Sequence, residues 1–221
     1  MSLTDPEILD LRFRPADVGP LVAARRTALT GEPAPTIAIA DAPVASLPGP
    51  AAVVRGAAVH ALDAWPAPGD WQRHDRVLVV VEDDDASRAR YLAWLRQLAS
   101  RPLPDPVSLA PVGVADAGLH RLWCIAAARL VLPADVRIEV RHDLVGIRLA
   151  QLALGMGADI LAGPLAPDRT LPLAGVTRPN ETSAAGLHTL IRQAGFRPAD
   201  ATSVAKAAPL PPTARSQEAT P

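Results

Sequence analysis

The stretch that most constrains the fold is RVLVVVEDDD, residues 76–85, in which four valines and a leucine run without interruption from 77 to 81 and end on four acids. A short, β-branched apolar run without alternation predicts a strand buried on both faces of a parallel sheet. The segment that follows, ASRARYLAWLRQLAS, predicts a helix, and acids placed before it suit the positive end of a helix dipole. The same rhythm then repeats. VSLAPV (107–112) predicts a strand, and GLHRLWCIAAARLVL a helix with an apolar stripe of Leu119, Leu122, Trp123, Ala126, Ala127 and Leu130. VRIEVR (136–141) predicts the next strand, LVGIRLAQLALGMG one helix with a stripe of Val145, Leu149, Leu152 and Met156, and ADIL a short strand. TSAAGLHTLIRQAG closes the series as a helix capped by threonine or asparagine, with Gly195 at its end and Pro198 beyond. Strand-helix alternation of this kind predicts an α/β fold with a parallel sheet and right-handed crossovers, specifically an incomplete, TIM-barrel-like partial (β/α) barrel.

The remainder of the chain reads differently. Prolines at 33, 35, 43, 48, 50, 66 and 68 leave room only for short elements, TIAIA (36–40) and AAVVRG (51–56) as strands, preceded by a helix over Asp17–Leu29. The expected organisation is an irregular segment over 1–75 packing on the barrel, a βα-repeat partial barrel over 76–200, and a disordered tail over 201–221, where proline, alanine and small polar residues dominate.

A net charge of -1 offers no clustered basic face for nucleic acid or an anionic membrane. No run approaches about 18 uninterrupted apolar residues. The acids in MSLTDPEILDLRF do not fit a secretory signal, so cytoplasmic residence is expected. One cysteine, Cys124, excludes a disulfide framework within the chain and any multi-cysteine metal site. No HExxH, GxSxG, Walker loop or dinucleotide fingerprint is present.

Candidate ligand-binding residues come from the strands and their ends. Alternation in VRIEVR places Val136, Ile138 and Val140 against the helices and Arg137, Glu139 and Arg141 toward a barrel lumen. That row reads either as a site for a carboxylate or phosphate, which guanidinium groups suit, or as an internal ion-pair ladder. His142, with Asp143, and Glu82 fall at strand C-terminal ends, where barrel enzymes collect catalytic groups. The acids 82–85 equally suit a helix cap. The four tryptophans are too dispersed along the chain to suggest a base-stacking platform.

The phrases IAAARLVLP, LAQLALGMGADILAGPL and LIRQAGFRPA, in that order and spacing, resemble the C-terminal part of the radical S-adenosylmethionine enzymes of the menaquinone (futalosine) and deazaflavin branch, such as aminofutalosine synthase and dehypoxanthine futalosine cyclase. The resemblance covers roughly residues 76–199. It implies a barrel fold and gives Asp159 a place in the family's "GADD" motif, where its expected role is to brace the loop around Gly163 through backbone amides. The departures are as informative. Ile160 stands for the motif's second aspartate, Pro164 for its threonine, and the CxxxCxxC loop that holds the family's iron–sulfur cluster has no counterpart. The expectation is therefore a catalytically degenerate relative without a cluster, with Cys124 as apolar filler in a helix. Such a protein would act as a non-catalytic subunit or ligand-binding partner in menaquinone biosynthesis, associating with a radical enzyme or with itself. The alternative is a cluster-free lyase or hydrolase acting on a small carboxylated metabolite.

Overall fold

The computed structural model describes residues 3–32, 35–43, 49–114, 118–168 and 180–199. The expected tail over 201–221 lies outside the described residues. The N-terminal part contains helices α1 (Asp5–Asp10) and α2 (Pro15–Thr30), strand β1 (Thr36–Asp41) and the hairpin of β2 (Ala51–Arg55) and β3 (Ala58–Leu62). The repeat follows as β4 (Arg76–Glu82), α3 (Asp85–Ala99), β5 (Val107–Val114), α4 (Gly118–Val131), β6 (Val136–Arg141), α5 (His142–Val145), α6 (Ile147–Gly155), β7 (Ile160–Gly163), α7 (Ala184–Gln193) and β8 (Arg197–Pro198).

All eight strands form one sheet in the order β3-β2-β4-β5-β6-β7-β1-β8. The pairs from β4 through β8 are parallel, and β2 joins β4 and β3 antiparallel. This is an α/β fold with an open, mostly parallel sheet of the partial-barrel type. The first 75 residues do more than pack on it, since β1 is inserted between β7 and β8, with Ala38 beside Ile160 and Ile37 beside Pro198.

The curl of the sheet is visible in one side chain. Arg76 of β4 donates from Nη1 to the carbonyl of Asp41 at the end of β1, at 3.0 Å. Those strands are four positions apart, a separation of about 19 Å in a flat sheet, beyond the reach of any side chain. The bond therefore requires β4 and β1 to face each other across a concave surface.

The convex side carries the main core. Val77, Val79, Leu109, Ile138, Val140 and Leu161 pack there against α2, α3, α4, α6 and α7. α4 lies in the middle of this layer and is buried on more sides than its expected stripe. His120, Cys124, Ile125, Ala128, Arg129 and Val131 are buried along with Trp123 and Ala127, whereas Leu119 is 58% exposed. The single helix expected from 144 to 157 is broken at Gly146, whose φ of 84° suits glycine. The break resets the helical phase, so α6 buries Ala150, Ala153 and Leu154 and leaves Leu152 60% exposed. Asp84 caps α3 by accepting from the Ser87 amide at 2.8 Å, the role expected for this acidic run. Ser183, and neither Thr182 nor Asn180, caps α7.

The tryptophans dispersed in sequence meet in space. Trp71 contacts Trp94 (6.4 Å between ring centres), Trp94 contacts Trp65 (5.5 Å), Trp65 contacts Tyr91 (5.9 Å), Tyr91 contacts Trp123 (6.3 Å) and Trp123 contacts His120 (6.1 Å). This chain of rings ties the 65–71 segment to α3 and α4, each pair contributing about 0.5–1.5 kcal/mol beyond simple burial.

Candidate functional site

Of the row expected to face the lumen, Glu139 and Arg141 lie inside the concave face, whereas Arg137 is exposed at the other end of the strand. Strand alternation puts Glu139 and Arg141 on the concave face, where Glu139 aligns with Ile160 and Ala38, and Arg141 with Ala162 and Ala40. Arg141 thus has the small Ala162 beside it, whereas Glu139 lies beside the larger Ile160. Both charged residues are only 1% exposed. Glu139 receives a bidentate fork from Arg76, Nε to Oε2 at 2.9 Å and Nη2 to Oε1 at 2.8 Å, and a third bond from the Ser108 hydroxyl at 3.1 Å. Arg141 forms a second fork with Asp143, at 2.9 and 2.7 Å, and donates from Nη2 to the Pro43 carbonyl at 2.6 Å. Glu139 and Arg141 are thus held in ion pairs on the concave face, and the Pro43 carbonyl after β1 takes one further bond from Arg141.

The rim at the strand C-termini holds the next candidates. Glu82 ends β4 and is exposed, while Asp83 pairs with Arg88, and Asp85 with Arg12 and Arg88. His142 is buried against Gly163, and its Nε2 has no hydrogen-bond partner among the described residues, a condition shared by Arg141 Nη1. A Cβ at Gly163 would lie 2.6 and 2.7 Å from the imidazole Cε1 and Cδ2, and its φ is 148°. Only glycine lets the ring sit there.

Burial pushes the His142 imidazole below its ordinary pKa, with Arg141 acting in the same direction and Asp143 opposing. His120 is likewise lowered by burial and by Arg88, although its bond to the Val81 carbonyl and the carboxylates of Glu82 and Asp84 pull upward. Asp83 lies 3.5 Å from its Nδ1. For both rings the neutral form is favoured in the folded state, so the unfolded chain binds more protons below its own pKa of about 6.5. Their contribution to stability is complete above that pH and is lost as the pH falls below it. Urea titrations at pH 7.5 and 5.5 are expected to show a lower midpoint at the acidic pH, and a His120→Asn, His142→Asn double variant to reduce that difference.

Two of the sequence candidates lie at the opposite end of the strands. Asp159 precedes β7 and braces a different part of the structure from the one expected. Its Oδ2 accepts from the Ile138 amide at 2.9 Å and from Arg129 at 2.5 Å, and its Oδ1 faces Arg26 at 3.4 Å, with no bond to the loop at Gly163 among the described residues. Arg26 also caps the end of α6 through the Leu154 and Ala158 carbonyls. Arg137 is exposed and lines a cavity of ≈ 250 Å³ with Arg26, Arg129 and Asp159. Such contacts at strand N-termini secure a barrel rather than react. The structure therefore separates the six candidates, with Glu139, Arg141 and His142 inside the concave face and its rim, Glu82 on the exposed rim, and Arg137 with Asp159 below. Arg76 and Ser108, which hold Glu139, carry no sequence signal of that role beyond the phase in β4 and β5 that sets them opposite Val77 and Leu109, on the concave face.

The family resemblance implies an iron–sulfur cluster, and the donor set does not fit one. Cys124 is fully buried in α4 with its sulfur 3.7 Å from His120 Nε2, on the convex side of the sheet, and burial raises its thiol pKa. The group is a protonated, enclosed thiol and does not serve as a ligand thiolate.

No protein-family model matches the chain. Among curated proteins it is similar to the 5-amino-6-(D-ribitylamino)uracil--L-tyrosine 4-hydroxyphenyl transferase of Methanopyrus kandleri, at 26% identity over 141 residues. The match takes in 62% of this chain and 37% of the transferase, so the chain spans little more than a third of that relative. No helix among the described residues is long and apolar enough to cross a membrane.

Proposed function

We propose that the chain is a radical-SAM-related scaffold without radical chemistry of its own, acting as a non-catalytic subunit or ligand-binding partner in the menaquinone (futalosine) branch. The observation that carries this reading is the concave face. Where a barrel enzyme keeps room for substrate, Glu139 and Arg141 are buried in ion pairs with Arg76 and Asp143. The likeness to a transferase that uses L-tyrosine and a ribitylaminouracil supports descent from that class of enzyme, and descent speaks to fold more directly than to present activity. Among the described residues the open sheet also has β3 and β8 as its edges, and unpaired edges favour a covering partner.

The test is co-purification of the tagged full chain from its own cells under anaerobic conditions. A cluster-bearing radical enzyme of the futalosine branch is expected at stoichiometric level, with reduced activity of that enzyme when the chain is deleted. Recovery of the chain free of such an enzyme, with unchanged pathway activity after deletion, overturns the proposal.

A further inference from the structure

The third charged residue of VRIEVR is left without a partner. Glu139 and Arg141 are neutralised by Arg76 and Asp143, but no hydrogen bond or ion pair joins Arg137 to any described residue. Glu139 and Ala38 flank Ile160 of β7 from either side. Arg137 and Thr36, two residues earlier in β6 and β1, therefore share their phase at the N-terminal ends of those strands. Both are exposed, and both line the cavity of ≈ 250 Å³ at that end. The Thr36 hydroxyl also has no partner among the described residues.

The lining carries an excess of positive charge. Arg26 from α2 and Arg129 from α4 stand beside Arg137, with two carboxylates, Asp159 and Glu32. Asp159 is shared by Arg26 and Arg129, and Glu32 is bonded to Arg197, outside the lining, at 3.0 Å. Asp135, two residues before Arg137, is exposed and makes no ion pair with it. Pro33 and Ala34, next to Glu32, bear no charge. Arg26 and Arg129, both buried, thus hold two positive charges against one carboxylate. Burial lowers the Arg26 pKa below its ordinary value, Asp159 opposes, and Arg129 adds to the lowering. The Nη atoms of these two arginines are committed to backbone carbonyls and to Asp159. They act on a ligand through their field, and Arg137 supplies the open donors.

We infer that this cavity is a binding site for the carboxylate or phosphate group of a small metabolite. The oxyanion takes the planar fork of Arg137, whose donors match two oxygens of one group, and the Thr36 hydroxyl donates to a further oxygen. The excess charge of Arg26 and Arg129 favours an anion over a neutral ligand of the same shape. The role is binding, at the end of the strands away from the rim where barrel enzymes react, and it does not depend on the role proposed for the lumen.

Calorimetry and thermal unfolding of the full chain test this with inorganic phosphate and succinate, each at an ionic strength held constant with sodium chloride so that screening cancels. At least one of the two is expected to bind saturably with millimolar affinity or better and to raise the unfolding midpoint. The tighter of them tells which oxyanion the site takes. Arg137→Gln, at an exposed position, is expected to weaken that binding about tenfold or more, the scale of hydrogen bonds to a charged group. Arg101→Gln removes an equal charge from an exposed position outside the lining and should leave the affinity unchanged. Ala134→Trp, which fills the cavity from an exposed position in its lining, should abolish binding. No saturable binding of either probe, an affinity indifferent to Arg137→Gln, an equal loss in Arg101→Gln, or binding that survives Ala134→Trp would each overturn the inference.

Discussion

Glu139→Leu is expected to lower the unfolding free energy by about 3–5 kcal/mol, the cost of leaving one member of a buried ion pair without its partner. The residue is 1% exposed and takes three hydrogen bonds, two of them from the guanidinium of Arg76. Removing the carboxylate strands that guanidinium on the concave face with only the Asp41 carbonyl and solvent to receive it. The double variant Glu139→Leu, Arg76→Met removes both charges and should recover most of the loss, because a buried pair is often replaceable by apolar side chains of similar volume. Urea denaturation of the two single variants and the double variant gives the coupling energy. Additive losses would mean that the pair does not act as a unit, and a stability unchanged by Glu139→Leu would mean that the row is open to water.

Gly163→Ala carries the second large expected loss, about 2–4 kcal/mol, from a clash in a closely packed interior combined with an unfavourable backbone angle. The added methyl would meet the His142 ring at 2.6 and 2.7 Å, and φ at this position is 148°. The ring has little room to withdraw, because His142 is only 5% exposed. Adding His142→Ala removes the clash and leaves the backbone term, so the double variant should be more stable than Gly163→Ala alone. If His142→Ala makes Gly163→Ala worse, the contact between ring and glycine is not what limits that position.

Much of the fold was legible because burial on both faces leaves a simple pattern. The uninterrupted valines of β4 and the alternating VRIEVR of β6 lie where periodicity places them, and the acids after β4 cap α3. α6 was not legible, because a helical stripe counted through Gly146 assumes a continuous helix, and the break there rotates the inward face to Ala150, Ala153 and Leu154. The chain of aromatic contacts was hidden for a related reason. Trp65 and Trp71 belong to an irregular segment, and nothing local indicates that it folds back onto α3.

The site was legible by phase and illegible by partner. Alternation alone puts Glu139 and Arg141 on the concave face, yet it cannot say that Arg76, 63 residues earlier, supplies the fork that neutralises Glu139. That pairing depends on sheet curl, a property of all the strands together. Asp159 shows the same limit. Its place just before β7 was readable, but its partners Arg26 and Arg129 come from two helices distant in sequence.

The most direct measurement is iron and sulfide content, with electron paramagnetic resonance, after anaerobic reconstitution of the full chain. With Cys124 as its one cysteine, enclosed in α4, the chain is expected to hold no stoichiometric four-iron centre and to leave S-adenosylmethionine uncleaved under reducing conditions. A stoichiometric cubane signal accompanied by cleavage of S-adenosylmethionine would contradict the scaffold reading outright.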